Sequence, residues 1–129
     1  EIETVIPYST DYDTVVNDEQ NNERSKFLQE IKDININLNN YDEIILGTPV
    51  WWYRPAPAIR SFLTKYDLTD KTVIPFATNA GWLGKTFIEI NNMCPNSNIR
   101  NNMNIVFESY SDNLVTSNRE IEQFIYSLK

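Results

Sequence analysis

Two apolar runs constrain this chain more than any other feature: Ile44-Ile45-Leu46 within residues 43–47, and Thr72-Val73-Ile74-Pro75-Phe76-Ala77. A strand with apolar residues on both sides must be covered on both sides, as in a parallel sheet buried between helices. The segments that follow have a helical period. Ile59, Phe62, Leu63 and Tyr66 fall at i, i+3, i+4 and i+7 behind Pro55 and Pro57, which suit a helix start. Phe87, Ile90 and Met93 step by three within 84–93, and residues 103–107 read as a further strand. Ser117 and Glu120 have capping-box spacing ahead of Ile121, Phe124, Ile125 and Leu128, which predicts a terminal amphipathic helix packed on a sheet. Strands alternating with helices imply right-handed crossovers, so the predicted class is α/β, a doubly wound, mostly parallel sheet in three layers.

The N-terminal third is read with less pattern to guide it. Residues 2–6 are a β-branched run stopped by Pro7 and predict a strand. Residues 8–22 are polar and turn-rich and predict a long connection, after which Phe27, Leu28, Ile31 and Ile34 predict a helix over 24–34. Pro75 conflicts with its own strand, because it has no N–H for a ladder. With 129 residues, 41% of them hydrophobic, and no internal repeat, the chain reads as a single domain.

Several function classes are excluded by what the sequence lacks. There is no histidine, and the single cysteine, Cys94, stands beside Pro95 with no base nearby. Cys–His, Ser–His–Asp and histidine-metal chemistry therefore have no residues to run on, so no catalytic or metal-ligating side chain is assigned. One cysteine also forms no internal disulfide, which suits a reducing, cytoplasmic compartment. The net charge is −7, and residues 1–43 hold 11 acids against 3 bases. Nucleic acid and anionic membranes are disfavoured as partners, because binding to them needs clustered Lys and Arg. No apolar run reaches the length of a membrane span.

In an open α/β sheet the ligand crevice lies beyond the carboxyl ends of the strands. The first such loop is Thr48-Pro49-Val50-Trp51-Trp52-Tyr53-Arg54-Pro55; the second is Thr78-Asn79-Ala80-Gly81-Trp82-Leu83-Gly84. Together they hold all three tryptophans and two of the three glycines. Aromatic faces can stack on a flat conjugated ligand such as an isoalloxazine, while glycine lets backbone N–H groups approach its polar rim. The same tryptophans would equally serve as anchors of a protein interface. Composition and spacing leave both readings open.

The run from Tyr41 to Trp52, with its Gly47-Thr48-Pro49-Val50-Trp51-Trp52 motif, and the later Lys71-Thr72-Val73-Ile74-Pro75-Phe76-Ala77-Thr78 resemble the short flavodoxin-like proteins of bacteria. Ile6-Pro7-Tyr8 and the Asp11-Tyr12 turn extend the resemblance over almost the whole chain. It implies an FMN-dependent electron carrier or a small quinone-reductase-like enzyme, serving a redox partner protein or a small quinone-like acceptor. Thr48, Pro49, Val50, Trp51 and Trp52 would form the first flavin loop, with a tryptophan stacked on the ring. Thr78, Asn79, Ala80, Gly81 and Trp82 would form the second, their backbone facing the pyrimidine edge.

The sequence departs from that pattern at one place. Family members open with an apolar strand, a Ser/Thr-rich loop containing glycine, and a helix whose N-terminus receives the FMN phosphate. Residues 2–6 resemble the family's second strand instead, so about four strands are expected. In the order 2-1-3-4-5 the first strand lies between the second and third. Residues 2–6 must then close onto 43–47 or leave an unpaired edge open to another chain, including a second copy. Two function classes follow, an FMN-dependent electron-transfer domain and a flavodoxin-shaped interaction module that binds no flavin. A receiver domain lacks its acidic cluster here, and a dinucleotide fold lacks its G-x-G-x-x-G.

Overall fold

The computed structural model describes residues 1–25 and 28–129, and of residues 22–25 the backbone alone. The elements run α1 (Tyr12–Ser25), a short 3-10 turn (Leu38–Asn40), β1 (Glu43–Trp51), β2 (Arg54–Pro55), α2 (Pro57–Lys65), β3 (Thr72–Asn79), α3 (Thr86–Met93), β4 (Asn98–Ile99), β5 (Met103–Val106) and α4 (Asn118–Ser127). The sheet has five strands in the order β2-β1-β3-β4, with β5 also on β3; only the β2 hairpin return is antiparallel. The α/β class stands as expected. β2 and β4, two residues each, are the strands that periodicity did not reveal.

The core lies where the apolar runs meet the two middle helices. Ile44 and Leu46 of β1 and Val73 of β3 share a cluster with Ile59, Phe62 and Leu63 of α2 and Ile90 of α3. Cys94 joins it, and burial raises its thiol pKa, which leaves the sulfur a packing group rather than a nucleophile. On the other side of the sheet Ile74 is wholly buried while its β1 neighbour Ile45 is half exposed.

Pro75 fits its strand for a reason visible in the register. Thr72 N–H donates to the Asp42 carbonyl, while Asn98 and Arg100 donate to the carbonyls of Lys71 and Val73. With a period of two, the even residues of β3 address β1 and the odd ones address β4 and β5. Pro75 is odd and sits where the outer ladder is already broken, between the Val73–Ile99 and Phe76–Met103 pairs, across which the register shifts by one residue. Its absent N–H faces a gap.

The N-terminal third corrects the sequence reading. The expected connection over 8–22 is mostly helix α1, started by Asp11, whose Oδ2 accepts hydrogen bonds from the N–H and the hydroxyl of Thr14. Its inward side is formed by Val15, Val16 and Glu19, while Tyr12 at its start is largely exposed; the buried place among the three holds an acid, which hid the period. The expected helix over 24–34 is extended where described at its C-terminal part: Ile31 is buried and bridges Thr4 antiparallel, with Val5 N–H on the Glu30 carbonyl and Lys32 N–H on that of Glu3. Phe27 of that expected helix lies outside the described residues. Residues 2–6 therefore pair with 30–32 rather than with β1.

α4 carries the complete capping box, Ser117 Oγ accepting from Glu120 N–H and Glu120 Oε2 from Ser117 N–H. Those bonds hold the Glu120 carboxyl below its ordinary 4.5. The folded state thus favours the ionised form, and the cap's contribution is present above that value and lost as pH falls through the folded one. Ser117→Ala is expected to cost about 1 kcal/mol at neutral pH in urea denaturation, and the difference from the parent should shrink on acidification. No helix of the described residues is long and apolar enough to cross a membrane.

Candidate functional site

β1 and β3 run parallel until Pro49 pairs with Thr78, so the two aromatic loops leave the sheet side by side at its carboxyl edge. Thr48 is buried at that point. Its hydroxyl donates to the Pro49 carbonyl and accepts from Ala56 N–H, tying the end of β1 to the start of α2. Thr48, expected in the first flavin loop, has its hydroxyl engaged in these two bonds.

The first loop is a tight hairpin. Trp51 pairs with Arg54, leaving Trp52 and Tyr53 as a two-residue turn with φ of 51° and 63°. A turn with both central φ positive is of type I′, which prefers Asn-Gly and is strained by aromatic residues. Both rings project outward, each 43% exposed. Tyr53 stands between Trp52 and Trp82, with ring centroids 5.6 and 6.2 Å away and edge-to-face geometry. Trp51 turns the other way and meets Tyr8 edge-on at 4.7 Å.

The second loop is shaped by Asn79. Its Oδ1 accepts from the N–H groups of both Gly81 and Trp82, and its Nδ2 donates to Asn104 Oδ1. Those two amides, expected to face a ligand, are engaged within the loop. Gly81 has φ +100°, and Trp82 is 60% exposed. The loops are locked together: Gly84 packs on the Tyr53 backbone, Lys85 N–H donates to the Tyr53 carbonyl, and Arg54 Nε bonds both carboxylate oxygens of Glu89. None of these three contacts is apparent from loop composition.

Beside the first loop lies a cavity of about 540 Å³ between Tyr8, Tyr12 and Val16 on one side and Val50, Trp51 and Trp52 on the other. Thr78, Asn79, Ala80, Gly81 and Trp82 do not line it. Burial raises the Tyr8 phenol pKa, and its oxygen accepts from Ala58 N–H at the start of α2. Sequence reasoning missed Tyr8 and α1 as walls; the tyrosine after Pro7 and the cap at Asp11 were the available signals. Among the described residues there is no cluster of three or more acidic, cysteine or histidine side chains placed to hold a metal.

A family profile described as Flavodoxin matches residues 1–120. The chain belongs to the flavodoxin family. Among solved structures, a flavoprotein from Lactobacillus acidophilus NCFM, crystallised in complex with FMN, superposes with a TM-score of 0.73 at 22% identity, covering 97% of this chain and 78% of that one. Flavoproteins described as putative from Bacteroides uniformis (TM-score 0.72, 23% identity, 98% and 79% covered) and Bacteroides eggerthii (0.67, 24%, 97% and 77%) share the fold. No curated protein matches. Within this family framework the exposed rings of Trp52, Tyr53 and Trp82 stand at the strand ends where the fold class places its ligand.

Proposed function

We propose that this chain is a flavin-binding domain that takes FMN against the Trp52–Tyr53–Trp82 edge and passes electrons to a redox partner protein or a small quinone-like acceptor. One observation carries the reading: an exposed aromatic array held at the strand ends by a turn that strains both of its residues. Backbone strain at a ligand edge is maintained by surrounding structure, here the lock onto α3. The Lactobacillus structure, crystallised with FMN, supports the same cofactor. A bound flavin supplies one- or two-electron transfer, and the protein's part is to hold the ring, tune it by stacking and exclude water.

The residues fit the ring better than the phosphate. The α1 and α4 N-termini are closed by the carboxylates of Asp11 and Glu120. α2 spends the amides of Ala56 and Ala58 on Thr48 and Tyr8, and Pro57 has none. These three termini offer no anion cradle. Riboflavin is therefore expected to bind within about tenfold of FMN, a difference under about 1.4 kcal/mol. The same occupied amides favour the second reading, an interaction module that uses its tryptophans on protein.

The two readings separate in one titration, following quenching of flavin fluorescence by FMN and riboflavin in turn. Saturable quenching by both supports the flavin site, whereas no quenching by either overturns it and favours the module. A W52N/Y53G variant sharpens the test. Relief of the turn is expected to stabilise the fold by about 1–2 kcal/mol, while quenching falls because two rings are gone.

A further inference from the structure

The second loop is held from β5. Asn79 pairs with Val106 and Ala77 with Asn104, so Asn104 stands on the same face of the sheet as Asn79, two residues back along the neighbouring strand. β5 grips Asn79 twice: Phe107 N–H donates to its carbonyl at 2.8 Å, and Asn104 Oδ1 accepts from its Nδ2 at 2.6 Å. The strand is itself fixed from its outer side, where Thr116 Oγ1 accepts from Val106 N–H and donates to the Asn104 carbonyl.

A carboxamide has one acceptor oxygen and one donor nitrogen, and its terminal torsion is soft. Gly81 and Trp82 both present N–H donors to Asn79, at 2.9 and 3.1 Å, so only the oxygen can face them. The nitrogen must then point away, and an acceptor on that side decides which end is which. Asn104 supplies it. Trp82 is 60% exposed and meets Tyr53 edge-on at 6.2 Å, so its ring goes where its backbone amide is held. We propose that Asn104 is a positioning residue of the aromatic edge: by fixing the Asn79 carboxamide it orders the second loop and sets the place of Trp82 against a flavin ring. Its part in binding presupposes the flavin site proposed for that edge. Asn104 stands at the surface, where water competes for the same bond, so the expected effect is a few-fold.

Asn104→Val keeps a strand-forming side chain and removes the acceptor, whereas Asn104→Asp keeps an acceptor oxygen. The first measurement is residue-resolved amide exchange on the whole flavin-free chain by NMR. In N104V the amides of Gly81 and Trp82 should exchange about fivefold faster, with that of Phe107 unchanged, and N104D should restore the parent rates. The second is a riboflavin titration read by fluorescence quenching; riboflavin carries no phosphate, so the charge that Asp adds does not repel it. N104V should bind about threefold more weakly than the parent, and N104D as tightly. Unchanged exchange in N104V overturns the proposal, since Asn79 would then hold both amides unaided. Equal acceleration in N104D overturns it too, because the shape of the side chain rather than its acceptor would be the cause. Equal riboflavin affinity in the parent and N104V removes Asn104 from the binding site. A parent that quenches no flavin brings down the flavin reading instead, and exchange at the two amides then decides alone whether Asn104 sets the loop.

Discussion

Replacing Arg60 by Met should destabilise the fold by about 3–5 kcal/mol, because it strands the buried carboxylate of Glu19 without a counter-charge. The two side chains are 4% and 3% exposed and meet at 2.6 Å, and Arg60 also donates to the Pro55 carbonyl. Among the described residues Glu19 Oε2 has no hydrogen-bond partner even in the intact pair, and Arg60 is the one cation that meets the carboxylate there. The pair joins α1 to α2, and its loss should loosen α1 first. Urea denaturation at neutral pH measures the cost, and hydrogen exchange locates it. A Glu19→Leu/Arg60→Met double variant should recover most of the loss, since apolar residues of similar volume need no partner. A single-variant loss below about 1 kcal/mol would mean that water reaches the carboxylate and that the pair is not the clamp described.

The second large effect is expected at Gly84. Its φ is +54°, and a Cβ there would stand 2.4 Å from Tyr53 Cβ and 2.7 Å from the Tyr53 carbonyl oxygen. Gly84→Ala therefore combines left-handed strain with a backbone overlap that no rotamer relieves, for a loss of about 2–5 kcal/mol. Gly81→Ala is the matched control: φ is +100°, yet nothing lies within 4 Å of the added carbon. It should cost only the strain, about 1–3 kcal/mol. Because Gly84 seats the second loop on the turn of the first, its alanine variant should also separate Trp82 from Tyr53 and weaken flavin quenching. Equal losses at the two glycines in thermal or urea melts would remove the close approach as the cause.

How much was legible can be traced to particular segments. β1, β3, α2 and α3 appeared at their expected places because each buries an apolar stripe whose spacing is written in the sequence. The α4 cap appeared because Ser117 and Glu120 bond only each other's backbone, a local event. α1 was hidden because its inward stripe ends in Glu19, an acid made tolerable by Arg60, 41 residues away. Ile31 and Ile34 have helical spacing, yet Ile31 lies in an extended pairing with Thr4, which no local pattern announces. Both misreadings have one cause: partners distant in sequence overrode a local period.

The candidate site divides along the same line. The sequence by itself determined the α/β class, the two loops and the crowding of tryptophans at one sheet edge, because strand period and loop position follow from residue order. Tertiary structure alone decided which rings gather. Trp52 and Trp82 meet around Tyr53 while Trp51 turns toward Tyr8; Thr48 becomes a staple; and Asn79 takes the amides of its own loop. Backbone angles at a two-residue turn and the register of parallel strands set these directions, and both depend on contacts closed across the fold rather than along the chain.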